Sequence, residues 1–541
     1  MSVLALAGAV WVQIGGWTVV LPLGTSPAAA QEFCANDSTG QEQRTVIFEN
    51  RCDSPVWIGF VGGSVACTTD GATACPTSTS TCVPNEPNST GGSCTCKSNT
   101  DCGTGQACNT DAGYCFWTMP TPTYDNGTQG FQLDAVGSSG PKQAKSCLPQ
   151  RSELVQLSGS IFGRTGCVTN ASGLLTCQTA PCQTESGSQA CLPGSGGTPP
   201  ATQVEFTFQN SFSGANNKDF YDVTIINGAN VSMAMRPIAD TYTRDSSDPY
   251  SCQAPGSPED SSTGLTGCNW KFHPGIINGA DQAALLRLVN PEHVTSASEC
   301  PPGSTYYSQT NVCLCTTDSQ CSGASSGLLC GSALGVIGGT SPPPGGLGQA
   351  CGTTIGEWSA DQLCGLNPNF KSSDGSLDCA QTFDLNSTTG TTTLAALLLC
   401  PKGGAESCYN DNPVPTTDCC GCATDPANRP YYDSWPTVLG LGDQCYNNNA
   451  TWGKNVQNWL AFMKRACPTA YTYPYDDATS TFTCLSNGNH GGVGFRITYC
   501  PERGVPASFS TSTATLLGDL PDLLSNDLSN LSNLLSREFS F

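Results

Sequence analysis

Short runs of alternating apolar and polar residues set the character of this chain. In QVEFTFQN, from Gln203, the residues Val204, Phe206 and Phe208 face one way and Glu205 and Thr207 the other. RTVIFEN and PVWIGFVGG flank Cys52 as two β-branched and aromatic runs, with a polar break at Asp53–Pro55. LVQLSGSIFGRTGC, from Leu154, reads as two further strands. DFYDVTII and ANVSMAM are joined by Asn227-Gly228, and Asn-Gly supplies the positive φ of a tight turn, so this stretch predicts a hairpin. TFTC (481–484) and VGFRITYC (493–500) complete the set. Many short strands with frequent turns predict an antiparallel sandwich or barrel.

One segment has a helical period. In WGKNVQNWLAFMKRAC the residues Val456, Trp459, Leu460 and Met463 form one apolar stripe, and Lys464 and Arg465 suit a helix C-terminus. The tail after Arg503 repeats leucine at 517, 520, 524, 528, 531 and 535, the pattern of an amphipathic helix. With almost no basic residue on its polar face, self-association or docking is the expectation for this tail, rather than attraction to anionic membrane. No stretch is long and apolar enough to span a bilayer.

Two cysteine-dense blocks interrupt the strands. CTCKSNTDC lies in the first (67–115) and CLCTTDSQC in the second, and both read C-x-C-x5-C with a further cysteine at Cys108 or Cys330. Neither block has the aliphatic residues to bury a core, so bridges must hold it. A binding knob and a tolerated surface insertion are both open readings. GSALGVIGGTSPPPGGLG, between Gly331 and Gly348, reads as a linker.

Composition narrows the partners. Among 541 residues, Lys plus Arg number 21 and Asp plus Glu 43, a formal charge of −22 that repels phosphate backbones and anionic lipid. Nucleic acid is therefore not an expected partner. Charged residues make up only 12%, and the Ser-, Thr-, Gly- and Asn-rich remainder suits a neutral polysaccharide. The 34 cysteines, with three widely separated histidines, point to disulfides in an oxidising compartment rather than to metal. No metal or cofactor is expected. The apolar N-terminus and TSPAAAQE read as a secretory leader over 1–30, cut near Ala30, although no Lys or Arg precedes the apolar run. Sequons at Asn36, Asn88, Asn126, Asn170, Asn230, Asn386 and Asn449 fit a secreted glycoprotein.

Taken in order, NRCDSPVW, SGSIFGRTGC, QVEFTF, DFYDVTIINGANVSM, CCGC, KRACPTAYTYPYDDATSTFTC and FRITYC resemble the thaumatin-like proteins. The resemblance covers 44–66, 116–290 and 401–501 as a discontinuous core. It leaves out the inserts at 67–115 and 291–400 and the tail at 504–541. It implies an all-β antiparallel sandwich with disulfide-rich loop domains, beside the short helix near 455–467. It also implies the bridges Cys52–Cys500, Cys167–Cys177, Cys182–Cys191, Cys252–Cys484 and Cys268–Cys467, with Cys408–Cys419 as a further pair. Cys420, Cys422 and Cys445 are left without assigned partners.

Many relatives line an acidic cleft with an Arg, a Glu and three Asp. The resemblance carries three of these onto Glu205, Asp222 and Asp476. The Arg position is Ser160 here, and the remaining Asp position is Asn227. Arg164 matches a family arginine outside this set. These positions imply a secreted, defence or wall-interacting protein that binds β-1,3-glucan through the cleft acids and through Phe220, Tyr221 and Tyr473. A weak endo-β-1,3-glucanase is the alternative, with Glu205 and Asp222 as the two carboxyls that glycoside cleavage needs. Non-catalytic extracellular adhesion or a matrix role is the third reading.

Overall fold

The computed structural model describes residues 33–503, apart from 39, 72, 86–89, 150–156, 172, 183–189, 209–217, 260–262, 273–275, 278–279, 282–284, 323–326, 334–347, 367, 373–374, 376, 385–390, 400–454 and 474–475, together with strand segments within 3–22. Those N-terminal segments, Val3–Leu6, Ala9–Ile14 and Trp17–Pro22, form a three-stranded antiparallel meander. Cys408, Cys419, Cys420, Cys422, Cys445 and the leucine tail lie outside the described residues.

A separate five-stranded sheet holds Arg287–Pro291 and Gly348–Glu357. Two sheets build the sandwich. Their strands are β1 (Gln43–Asn50), β2 (Val56–Gly62), β3 (Thr123–Tyr124), β4 (Gln132–Leu133), β5 (Gln143–Pro149), β6 (Leu157–Thr165), β7 (Gln203–Phe208), β8 (Lys218–Thr224), β9 (Met233–Pro237), β10 (Tyr242–Thr243), β11 (Phe482–Ser486) and β12 (Phe495–Tyr499). One sheet has the order β3-β5-β1-β12-β9 and the other β4-β2-β6-β7-β8-β11-β10. The pairs are antiparallel except β1 with β12, which run parallel, so the first and last strands of the sandwich lie side by side. Cys52 and Cys500, just past the ends of those two strands, are bridged. Asn50 shapes the turn into Cys52, because its side-chain amide donates to the carbonyls of Ser54, Leu133 and Asp134 at 3.0–3.2 Å.

Alternation decides which residues fill the core. Val204, Phe206 and Phe208 of β7 are buried, and Phe206 stacks on Phe208 with ring centroids 4.1 Å apart. Phe208 and Tyr221 reach across to Phe495 of the other sheet, at 5.2 and 4.9 Å. A charged pair crosses the same interior: the guanidinium of Arg44 on β1 binds both carboxylate oxygens of Asp219 on β8 and lies 4.4 Å from the Phe208 ring. Such a pair holds only because each charge is matched by the other and by further acceptors, here the Val493 carbonyl at 2.9 Å.

Two expectations are corrected. The stretch through Asn227-Gly228 is not a hairpin. The turn forms, with Gly228 at φ +78° and its N–H on the Ile225 carbonyl at 2.9 Å, but it leads from β8 in one sheet to β9 in the other. The described part of LVQLSGSIFGRTGC is one strand, β6, rather than two. The apolar stripe at 456–463 does form a helix, Gln457–Ala466.

The cysteine blocks are small sheets stapled by short-range bridges. Cys67–Cys82, Cys75–Cys94, Cys96–Cys108 and Cys102–Cys115 hold the first, and Cys300–Cys313, Cys315–Cys330 and Cys321–Cys351 the second. Each carries a short capped turn. The Asp101 carboxylate accepts from the backbone N–H groups of Lys97 and Ser98 at 2.8 and 3.0 Å, and Gln320 does the same for Thr316 and Thr317. A third copy of this turn opens the second block itself. There Glu299 accepts from the Thr295 N–H at 3.0 Å, and Cys300–Cys313 spans 13 residues as Cys102–Cys115 does. The C-x-C-x5-C pattern does not reach this copy because no C-x-C stands before it. Every described cysteine is bridged, including the Cys34–Cys147 and Cys364–Cys379 pairs that sequence reading did not assign.

Candidate functional site: an acidic row on the outer sheet face

Ser160, Glu205 and Asp222 stand in one row across three adjacent strands. Ser160 of β6 is directly opposite Glu205 of β7, and Glu205 is opposite Asp222 of β8. Because Ile161, Val204, Phe206, Tyr221 and Val223 turn inward, this row projects from the outer face. Ser158, Thr207, Phe220 and Thr483 form the next row across β6, β7, β8 and β11. Phe162, Gln203 and Thr224 form the row on the other side.

The face is mostly hydroxyl and amide. The Ser160 hydroxyl donates to Gln203 Oε1 at 2.7 Å, and the Ser158 and Thr207 hydroxyls bond at 3.1 Å. Phe220 is 46% exposed and stands beside Thr207 and Thr483. The Glu205 side chain is exposed at its surface, yet the protein around it strips enough hydration to raise its carboxyl above the usual carboxylate range. No guanidinium stands at position 160 to oppose that shift, since Ser160 offers only a hydroxyl.

Other expected members do not face this surface. Tyr221 is corrected to a core residue: it packs among Phe482 and Phe495, and its hydroxyl donates to the Gln253 carbonyl at 2.6 Å. Tyr473 is likewise buried. Asp476 is fully enclosed, where Lys464 from the helix reaches it at 2.7 Å and also donates to Thr479, Ser480 and the Ala470 carbonyl. Burial lowers Lys464 and raises Asp476, while their mutual attraction and hydrogen bonds oppose both shifts. Arg164 is buried against Cys182 and the Ile58 carbonyl.

Asn227 is engaged from an unexpected direction. Its Oδ1 accepts from Gln362 Nε2 at 2.8 Å, in the short helix Ala360–Leu366 of the second insert. The Ser359 hydroxyl donates to the Ile226 carbonyl at 2.6 Å, and Ala229 and Glu357 exchange backbone hydrogen bonds. Gly228 permits this approach, because a Cβ there would meet the Glu357 carbonyl at 2.6 Å. Residues 358–398, grouped with the insert by sequence, contribute Trp358, Leu363, Leu377, Leu394, Leu397 and Leu398 to the main core. Ser158 and Thr207 were accessible to a period-two reading of β6 and β7. Gln362 was not, being 135 residues from its partner in a segment without strand or motif signal.

The Thaumatin family model matches residues 121–326 and 442–501. Thaumatin-like protein 1 of Prunus persica is 46% identical over 80 residues, which is 15% of this chain and 30% of that protein. Thaumatin-like protein 2 of the same species is 35% identical over 130 residues, 24% of this chain and 47% of that protein. Glucan endo-1,3-beta-glucosidase of Prunus avium is 36% identical over 106 residues, 20% of this chain and 40% of that protein. The chain thus spans less than half the length of these curated relatives. Among solved structures, the thaumatin-like xylanase inhibitor TLXI is 15% identical, covering 36% of this chain and 75% of that one with a TM-score of 0.16. The family model meets β3 to β12, the acidic row among them, and over that part this chain is a thaumatin-like protein.

Proposed function

We propose that this protein is secreted and binds a neutral cell-wall polysaccharide of the β-1,3-glucan type on the outer face of the seven-stranded sheet. The observation that carries the reading is the grid itself. Two acids in register, Glu205 and Asp222, are set among Ser158, Ser160, Gln203 and Thr207, with Phe220 exposed beside them. Carboxylates and hydroxyls bond sugar hydroxyls, and an exposed ring offers a platform for the apolar face of a pyranose. The disulfide network supports an extracellular setting.

A glycosidase reading has its own support in the raised carboxyl of Glu205 opposite Asp222. One protonated acid and one carboxylate are what glycoside cleavage requires. Binding is preferred because Asp476 and Asn227 are both committed to internal partners. Co-sedimentation with insoluble β-1,3-glucan tests the first reading: retention should fall at least tenfold in Glu205→Gln/Asp222→Asn. Equal retention of this variant and the wild type would end it. Reducing-sugar release that vanishes in Glu205→Gln alone would favour the enzyme.

A further inference from the structure

Four of the sequons, at Asn36, Asn126, Asn170 and Asn230, fall among the described residues. Two of them have opposite surroundings. Asn126 lies in a run, 125–129, that is exposed throughout. Its Oδ1 accepts from the Thr128 N–H at 2.9 Å and from the Thr128 hydroxyl at 2.7 Å, while no described partner takes its amide N–H. This is a local turn that Asn-Gly-Thr forms within its own three residues. It brings the sequon hydroxyl onto the amide that must react and leaves the nitrogen toward solvent. Around it, the Tyr124 hydroxyl donates to the Gln132 carbonyl at 2.7 Å, so the loop is fixed from below and a large group on Asn126 displaces nothing.

Asn230 is the reverse. Its Nδ2 donates to the Gly163 carbonyl at 2.7 Å and to the Thr179 hydroxyl at 2.8 Å, and its Oδ1 accepts from the Thr202 N–H at 3.0 Å. That amide joins β6, the segment leading into β7 and the Thr179 loop. A sugar on Nδ2 would remove one of its two N–H donors and occupy the space where the Gly163 carbonyl and Thr179 hydroxyl stand.

We propose that Asn126 is an N-glycosylation site of this protein and that Asn230, though it carries the same signal, is never glycosylated in the folded molecule. The donor class is a polyprenyl-diphosphate-linked oligosaccharide, supplied by the transferase of the secretory pathway. The bond formed is Asn126 Nδ2 to the sugar C1. The bond broken is C1 to the diphosphate oxygen, which leaves with the electron pair, and one amide proton passes to the transferase base.

The test uses the full chain secreted from a eukaryotic host and selected for an intact Cys52–Cys500 peptide. Treatment with peptide N-glycosidase in heavy-oxygen water converts each formerly occupied asparagine to labelled aspartate. The peptide map should show near-complete label at Asn126 and none at Asn230. Asn126→Gln and Thr128→Ala should each remove one glycan's worth of mass while secretion continues. An unlabelled Asn126, or a labelled Asn230 in the correctly bridged fraction, overturns the proposal. Neither result depends on whether the protein binds polysaccharide.

Discussion

Arg287 stands directly opposite Glu357 across two antiparallel strands, yet its guanidinium closes on Asp318 at 2.6 Å and leaves Glu357 Oε2 without a hydrogen-bond partner among the described residues. Four residues on, Asp361 is buried with its Oδ1 equally unmatched. Both acids sit in the segment that docks on the Ile225–Ala229 turn.

That arrangement sets a pH dependence. Lost hydration pushes Glu357 from 4.5 to about 8, against the opposing pull of Arg287, and Asp361 from 3.8 to about 7, against its hydrogen bonds from Ser359 and nearby backbone. Well below pH 3.8, folded and unfolded chains are both protonated and the pair contributes nothing. As pH rises the unfolded carboxyls ionise first, so stability falls until each folded value is passed and is flat beyond. Glu357→Gln and Asp361→Asn should therefore match the wild type near pH 3 and exceed its Tm by ~2 °C or more at pH 8. A Tm gap that does not widen with pH counts against this account.

Replacing Asp476 by Asn should cost about 3–5 kcal/mol, because it leaves Lys464 charged and buried without its counter-ion. The double variant Lys464→Met/Asp476→Leu should recover much of that loss in urea denaturation. Retention on glucan at a temperature where both variants are folded should stay at the wild-type level, since Asp476 does not face the acidic row.

The Cys52–Cys500 bridge closes a loop of 448 residues, although Cys252–Cys484 and Cys268–Cys467 already shorten the path through it. Cys52→Ser/Cys500→Ser should lose about 5 kcal/mol in the chain-entropy view. Amide exchange should speed up first in β1 and β12, the parallel pair that the bridge borders.

Phe220→Ala should weaken glucan retention about tenfold, the loss expected from removing one aromatic contact. Its exposure means that Tm should change by no more than ~1 °C. Tyr221→Ala, one residue away on the opposite face, should instead unfold the domain at moderate temperature, by removing a filled core position. Measuring Tm and retention together for both variants separates the two faces of β8.

Local pattern was enough for much of this molecule. The alternation in QVEFTF placed Glu205 outside and Phe206 inside, the stripe at 456–463 gave the helix, and Asn227-Gly228 gave a turn. These follow from period and backbone preference, which are written within a few residues. The ordered motifs carried the family and named the pairs Cys52–Cys500, Cys167–Cys177, Cys182–Cys191, Cys252–Cys484 and Cys268–Cys467, each of which the structure bridges.

What tertiary structure alone decided is which partner each polar group met. Asp222 and Asp476 look alike in sequence, but one shares an outer row with Glu205 and the other is enclosed with Lys464. Arg44 and Asp219 meet across 175 residues, and Asn227 and Gln362 across 135. A charge or an amide has no periodicity that reports its partner. Its pairing depends on which segments the two packed sheets bring within hydrogen-bond reach, and that is fixed only once the sandwich closes.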